Sequence, residues 1–117
     1  MAHQGKSIRQ EQISRLLQKT LSMMLISDLP LLSHQIVSIS MVHVNKSGTH
    51  AKIYLSCSLE EDPKPVLAFF LQKRRYIRYL LGQKLSGKMQ NIPQLSFYID
   101  HRITKMERTL HLIEQIG

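Results

Sequence analysis

The sequence predicts an α+β fold in which helices cover one face of a three-stranded sheet. Three patterns predict it. Apolar residues recur at helical spacing through residues 9–25 and again through 66–85. Ala51, Ile53, Leu55 and Cys57 alternate strictly with Lys52, Tyr54, Ser56 and Ser58. Leu95, Phe97 and Ile99 alternate in the same way with Ser96, Tyr98 and Asp100. The 117 residues suffice for one core but not for two, so a single domain is expected over residues 1–117.

The elements follow in order. Residues 1–6 are polar and are expected to be disordered. Ser7-Ile8-Arg9-Gln10 has the form of a capping box, a hydroxyl with an amide three residues on, and should open a helix reaching about Ser27. Ile13, Leu16, Leu17, Leu21, Met24 and Leu25 form its apolar stripe, with Arg9, Arg15 and Lys19 elsewhere on the wheel. Leu29-Pro30 ends it. From Ile36 to Val44 the chain is rich in β-branched residues and reads as a strand. Its alternation slips between Met41 and Val42, which signals a bulge or two-sided burial. Asn45-Lys46-Ser47-Gly48 is turn chemistry and joins the first two strands as a hairpin. Acids and prolines in Glu60-Glu61-Asp62-Pro63-Lys64-Pro65 suit a helix start. The helical stretch that follows stops near Ser86-Gly87, and the third strand comes after it. Ile103, Met106, Leu110 and Ile113 mark an amphipathic C-terminal helix over 101–117, capped by Asp100.

Val66, Phe69, Phe70, Ile77, Leu80 and Leu81 share one face of the long central helix, but Lys73 falls in the middle of that face. A buried, unpaired ammonium is costly. Either the lysine snorkels to the rim, leaving a helix with a solvated basic edge, or the helix breaks near residues 73–75. The break is the expectation, because local and global preferences then agree. Tyr76 shares the apolar face and reads as core, whereas Tyr79 is the freer aromatic.

Sixteen basic residues against 8 acidic ones give a formal net charge of +8, a surface suited to polyanions: nucleic acid first, an anionic membrane second. The single cysteine, Cys57, excludes an internal disulfide framework and reads as a small core residue in a reducing compartment. With no apolar run of membrane-spanning length and no secretory leader, a soluble cytoplasmic protein is expected.

Little in the chain suggests catalysis. His3, His34, His43, His50, His101 and His111 show no paired metal spacing on a helix, and no metal or other cofactor is implied. A four-residue turn at 45–48 would set His43 opposite His50 across the hairpin, where two imidazoles could share a metal or act as an acid–base couple. A pair of exposed strand histidines is the simpler reading. Gly82 and Gly87 are isolated and form no phosphate-binding loop. The basic cluster remains: Lys73, Arg74, Arg75 and Arg78 within six positions, with Lys84 and Lys88 beyond. Arginines grip phosphates with paired donors, and tyrosines stack on unpaired bases.

These residues, together with several strings, resemble the bacterial ribosome-binding factor A family. The strings are the helix pattern from Arg9 to Leu17, Ala51-Lys52-Ile53-Tyr54-Leu55-Ser56, Tyr76-Ile77-Arg78-Tyr79-Leu80-Leu81-Gly82, and Ile92-Pro93-Gln94-Leu95-Ser96-Phe97-Tyr98-Ile99-Asp100. The resemblance covers about residues 7–113. It implies a type II KH-like domain of order α-β-β-α-α-β with a kinked helix pair, plus the C-terminal helix. It also implies small-subunit (16S) ribosomal RNA as ligand, and a non-catalytic, cofactor-free role in late 30S maturation and precursor processing, including in the cold. The sequence departs from the family where an Ala-x-Gly kink is usual, with Lys73-Arg74-Arg75 in its place, so a kink here should be smaller or differently made. Ser47 replaces a frequent aspartate, and Gln90 a frequent arginine.

The function expected is that of a monomeric assembly factor binding the small ribosomal subunit and its 16S RNA, with no membrane or small-molecule partner. Lys73, Arg74, Arg75 and Arg78 are the expected RNA contacts, with Lys84, Lys88, Lys46 and Lys52 as further candidates. The rival readings are a general nucleic-acid binder, an RNA-processing enzyme using His43 and His50, and a membrane-surface protein.

Overall fold

A computed structural model describes residues 8–29, 37–57 and 62–100. The expected disorder at 1–6, the Ser7 cap and the C-terminal helix at 101–117 lie outside these residues. The described elements are α1 (Ile8–Ser27), β1 (Val37–Val44), β2 (His50–Cys57), α2 (Pro63–Gln72), α3 (Arg74–Lys84) and β3 (Gln94–Ile99). Strand order is β1-β2-β3, with β1 antiparallel and β3 parallel to β2. The parallel pair follows from the crossover through α2 and α3, since parallel neighbours cannot be joined by a tight turn.

The core lies between the sheet and the helices. Leu17, Leu21 and Met24 from α1, Ile53 and Leu55 from β2, and Val66, Phe70, Ile77 and Leu81 from the helix pair are all at most 1% exposed. Phe70 meets Phe97 of β3 with ring centroids 5.3 Å apart, tying α2 to the third strand. Cys57 is buried at the end of β2, where its side of the strand faces the same core. Within β1 the register shifts between Ile39 and Met41, so the slip in alternation is a bulge at Ser40. The Ser40 hydroxyl lies 2.7 Å from Asp100 Oδ2 and 3.2 Å from the Tyr54 carbonyl, which anchors the bulge.

β1 is an edge strand, and α1 covers its edge with amides. Gln10 donates to the Val44 carbonyl at 3.1 Å, and Gln18 donates to the Ile39 carbonyl at 3.2 Å. The two glutamines are eight residues apart in α1, close to two helical turns, so they lie along one face. They satisfy carbonyls that would otherwise invite another strand.

The central stretch does break. α2 begins with Asp62, whose side chain accepts the Lys64 N–H at 3.0 Å, and with Pro63 in the first turn. α2 ends at Gln72 and α3 starts at Arg74. Lys73 alone forms the joint, at φ −94° and ψ 8°. That sparsely populated but allowed region admits any L-residue. No glycine is needed, which explains how Lys73-Arg74-Arg75 can replace Ala-x-Gly. Beyond the joint one expectation is overturned: Tyr76 is 49% exposed and not core. The wheel groups Tyr76 with Ile77 and Leu80, but α3 turns Ile77 and Leu81 into the core. Tyr76, about 100° of helix away from Ile77, lies outside that narrower stripe.

The far end of α3 is tied to the end of α1. Lys84 Nζ lies 3.0 Å from Asp28 Oδ2. The hydrogen bond from Lys84 holds the Asp28 carboxyl below its ordinary range; desolvation opposes this, while Ser27 and the Lys84 charge reinforce it. A carboxyl with a depressed folded pKa adds stability above its unfolded pKa, and that stability disappears as pH falls through the folded value. Lys84→Met should therefore flatten the acid limb of stability against pH. Urea midpoints measured between about pH 5 and about pH 2 check this. An unchanged slope would show that the ion pair contributes nothing.

Candidate nucleic-acid interface

The joint sets the site. Because α3 starts at Arg74, the cations of its first turns belong to a new helix and lie beside the segment that leads into β3. Arg74, Arg75, Arg78 and Tyr79 line one wall of a groove, and Gln90, Asn91, Ile92 and Gln94 line the other. The second wall is held in place from two directions. Arg78 Nε donates to the Pro93 carbonyl at 2.9 Å and Nη2 donates to the Ile92 carbonyl at 2.7 Å. Gln94 N–H donates to the Thr49 carbonyl at 2.9 Å, which fixes the start of β3 against the end of the hairpin.

Not every basic residue expected at the site is equally available. Arg74 and Arg75 are exposed, and neither has an acid partner among the described residues. Lys73 is half-buried at the joint. Arg78 lines the groove, but two of its donors are committed to the backbone, and it works there as a clasp. Lys84 is paired with Asp28 at the opposite end of α3. Lys46 and Lys88 lie together in a separate cleft with Arg9. Lys52 sits on β2 opposite His43 of β1 and Ser96 of β3, on the sheet face turned away from the buried side of β2. It therefore stands apart from both clefts.

Sequence reasoning missed Gln90, Asn91 and Gln94 as groove-lining residues. The available signal was weak: three exposed amides in five positions around Pro93. Tyr79 is 60% exposed, as expected of the freer ring, and its hydroxyl accepts from Gln83 at 2.7 Å.

The opposed histidines do not occur. The register pairs Val44 with Ala51 and His43 with Lys52. Asn45 is the cause. Its Oδ1 accepts the N–H groups of both Thr49 and His50 at 2.9 Å, and its own N–H donates to the His50 carbonyl at 3.0 Å. Asn45 itself therefore stands opposite His50, and the turn is displaced by one residue. The geometric premise of a histidine enzyme is therefore not met. Among the described residues, no helix is long and apolar enough to cross a membrane.

Comparison with known proteins agrees with this architecture. The sequence model of the family described as Ribosome-binding factor A matches residues 9–113. A ribosome-binding factor A from Chlorobium phaeobacteroides (strain BS1) is 36% identical over 110 residues, covering 93% of this chain and 94% of that protein. The crystal structure of ribosome-binding factor A from Thermus thermophilus superposes with a TM-score of 0.62 at 16% identity, over 77% of this chain and 94% of that one. A homology model of the Thermus thermophilus factor, fitted into a cryo-EM map of its 30S complex, gives 0.60 at 17% identity, over 83% and 97%. At that identity the structural likeness shows the fold: α+β and KH-like.

Proposed function

The chain belongs to the ribosome-binding factor A family, and from that premise we propose that it binds the small ribosomal subunit through 16S ribosomal RNA. One observation carries the location: Arg74 and Arg75 stand exposed, without acid partners among the described residues, on the wall of a groove faced with amides. Guanidinium groups free of internal partners suit phosphate oxygens, and an exposed tyrosine beside them suits an unpaired base. The action is conformational and non-catalytic. The protein favours one state of immature RNA over another, by no more than its difference in affinity for the two. Late maturation and precursor processing then proceed on the favoured state, including in the cold, where RNA escapes slowly from misfolded states. The protein works as a cytoplasmic monomer, with residues 1–117 forming one RNA-binding domain.

Sedimentation of cell extract tests this. The protein should co-migrate with free small subunits and be depleted from translating ribosomes. Remaining at the top of the gradient, or binding duplex DNA as tightly as small subunits at physiological salt, would favour the general nucleic-acid binder instead.

A further inference from the structure

We infer that the cleft between the first turn of α1, the hairpin loop and the turn after α3 is a second RNA-backbone site, continuous with the groove at the joint. This inference rests on the RNA-binding reading of that groove and extends it. Three cations from distant parts of the chain meet in the cleft: Arg9, Lys46 and Lys88. No acid lies among its described lining residues. Bringing like charges together in the folded state costs free energy that a bound polyanion recovers.

The cleft is built rather than incidental. Lys46 rides on a loop whose backbone is tied by Asn45. Asn45 Oδ1 accepts two backbone N–H groups, and Nδ2 donates to Thr49 Oγ1 at 2.9 Å and to Ser47 Oγ at 3.1 Å. A loop ordered in advance loses less entropy on binding. Lys88 follows Gly87, which at φ 84° turns the chain back after α3, and the Lys88 N–H donates to the Leu85 carbonyl at 2.9 Å.

Gln90 and Asn91 line both clefts. They are the shared wall, so a strand leaving Arg74 and Arg75 passes two amides and enters the field of Lys46, Lys88 and Arg9. Amides can hydrogen-bond phosphates or base edges, and the partly buried Ile13, Leu16 and Met89 give the second cleft an apolar floor for base faces. An acidic protein segment would gain from the cations but has less use for such a floor and amide wall. The ligand class is therefore a single RNA strand that spans both clefts.

The test measures affinity against salt for the full chain and an unstructured uridine-rich RNA of about 20 nucleotides, long enough to span both clefts. Lys46→Gln with Lys88→Gln should flatten the log–log slope by about 1.4, and Arg74→Gln with Arg75→Gln by a similar amount, at roughly 0.7 for each single-strand contact. All four together should flatten it by about 2.8, at one RNA per protein. An unchanged slope in the Lys46/Lys88 variant overturns the second site. Two strands per protein would overturn the continuity. Should that variant lose small-subunit binding while its slope on RNA stays unchanged, the cleft holds an acidic protein face and the inference fails. A flattened slope in the Lys46/Lys88 variant with none in the Arg74/Arg75 variant would instead sink the joint reading. If the wild-type chain binds no RNA, both fall.

Discussion

Glutamine at both Arg74 and Arg75 should weaken binding to small ribosomal subunits by on the order of tenfold or more at physiological salt, with no loss of stability. Both side chains are exposed, and neither supports any described hydrogen bond or ion pair, so unfolding should move by less than about 0.5 kcal/mol. Binding differs because a guanidinium facing solvent is only weakly committed in the free protein, while against phosphate it gains charge-assisted, two-pronged hydrogen bonds. Lysine at both positions should recover part of the affinity and all of the formal charge, separating simple attraction from paired-donor geometry. Equilibrium binding to purified subunits reads the first effect and urea denaturation the second. Wild-type affinity in the glutamine variant would mean that these arginines are an ordinary solvated face.

Arg78→Leu should behave in the opposite way, with stability lost first. The guanidinium bonds two consecutive carbonyls, those of Ile92 and Pro93, in a half-buried position. Removing it leaves both acceptors without their donor, at a cost of about 2–4 kcal/mol. For a domain of this size that corresponds to a fall in Tm of roughly 10–25 °C. Arg78→Lys should not rescue it, since one ammonium cannot reproduce the fork that reaches both carbonyls. The loss should extend to RNA affinity, because the segment clasped by Arg78 is the amide wall of the groove. If Arg78→Leu keeps wild-type stability and loses affinity only in proportion to one charge, Arg78 is a phosphate contact and the clasp is incidental.

The contrast between Arg74 or Arg75 and Arg78 shows how far the sequence could be read. All belong to one cluster within five positions, and nothing local distinguishes them. Their spacing along α3 fixes which face each occupies, but not what stands opposite that face. Pro93 and Ile92 come to stand opposite Arg78 only because β3 pairs in parallel with β2 and starts beside Thr49. Tyr76 failed for a related reason: the wheel groups it with Ile77 and Leu80, but how wide a stripe of α3 the core covers is set by packing, and that stripe centres on Ile77 and Leu81. The histidine pair failed because Asn45 holds His50 opposite itself through backbone and side-chain hydrogen bonds and so displaces the turn by one residue, which turn composition alone does not reveal.

What the sequence by itself determined was the set of elements, because each repeats with a period. Helical stripes in α1 and the α2–α3 stretch, alternation in β2 and β3, an irregularity in β1 and a break near residues 73–75 all follow from where apolar side chains must go. That the irregularity is a bulge at Ser40 and the joint a single Lys73 came from the structure. Burial is a property of each residue's own pattern, and a misplaced charge such as Lys73 announces itself. Tertiary structure alone decided which polar residues share a surface. Arg9, Lys46 and Lys88 are far apart in the chain and carry no common pattern; only the packing of α1, the hairpin loop and the turn after α3 gathers them into one cleft. Hydrophobic periodicity is read along the chain, whereas an electrostatic site is summed through space.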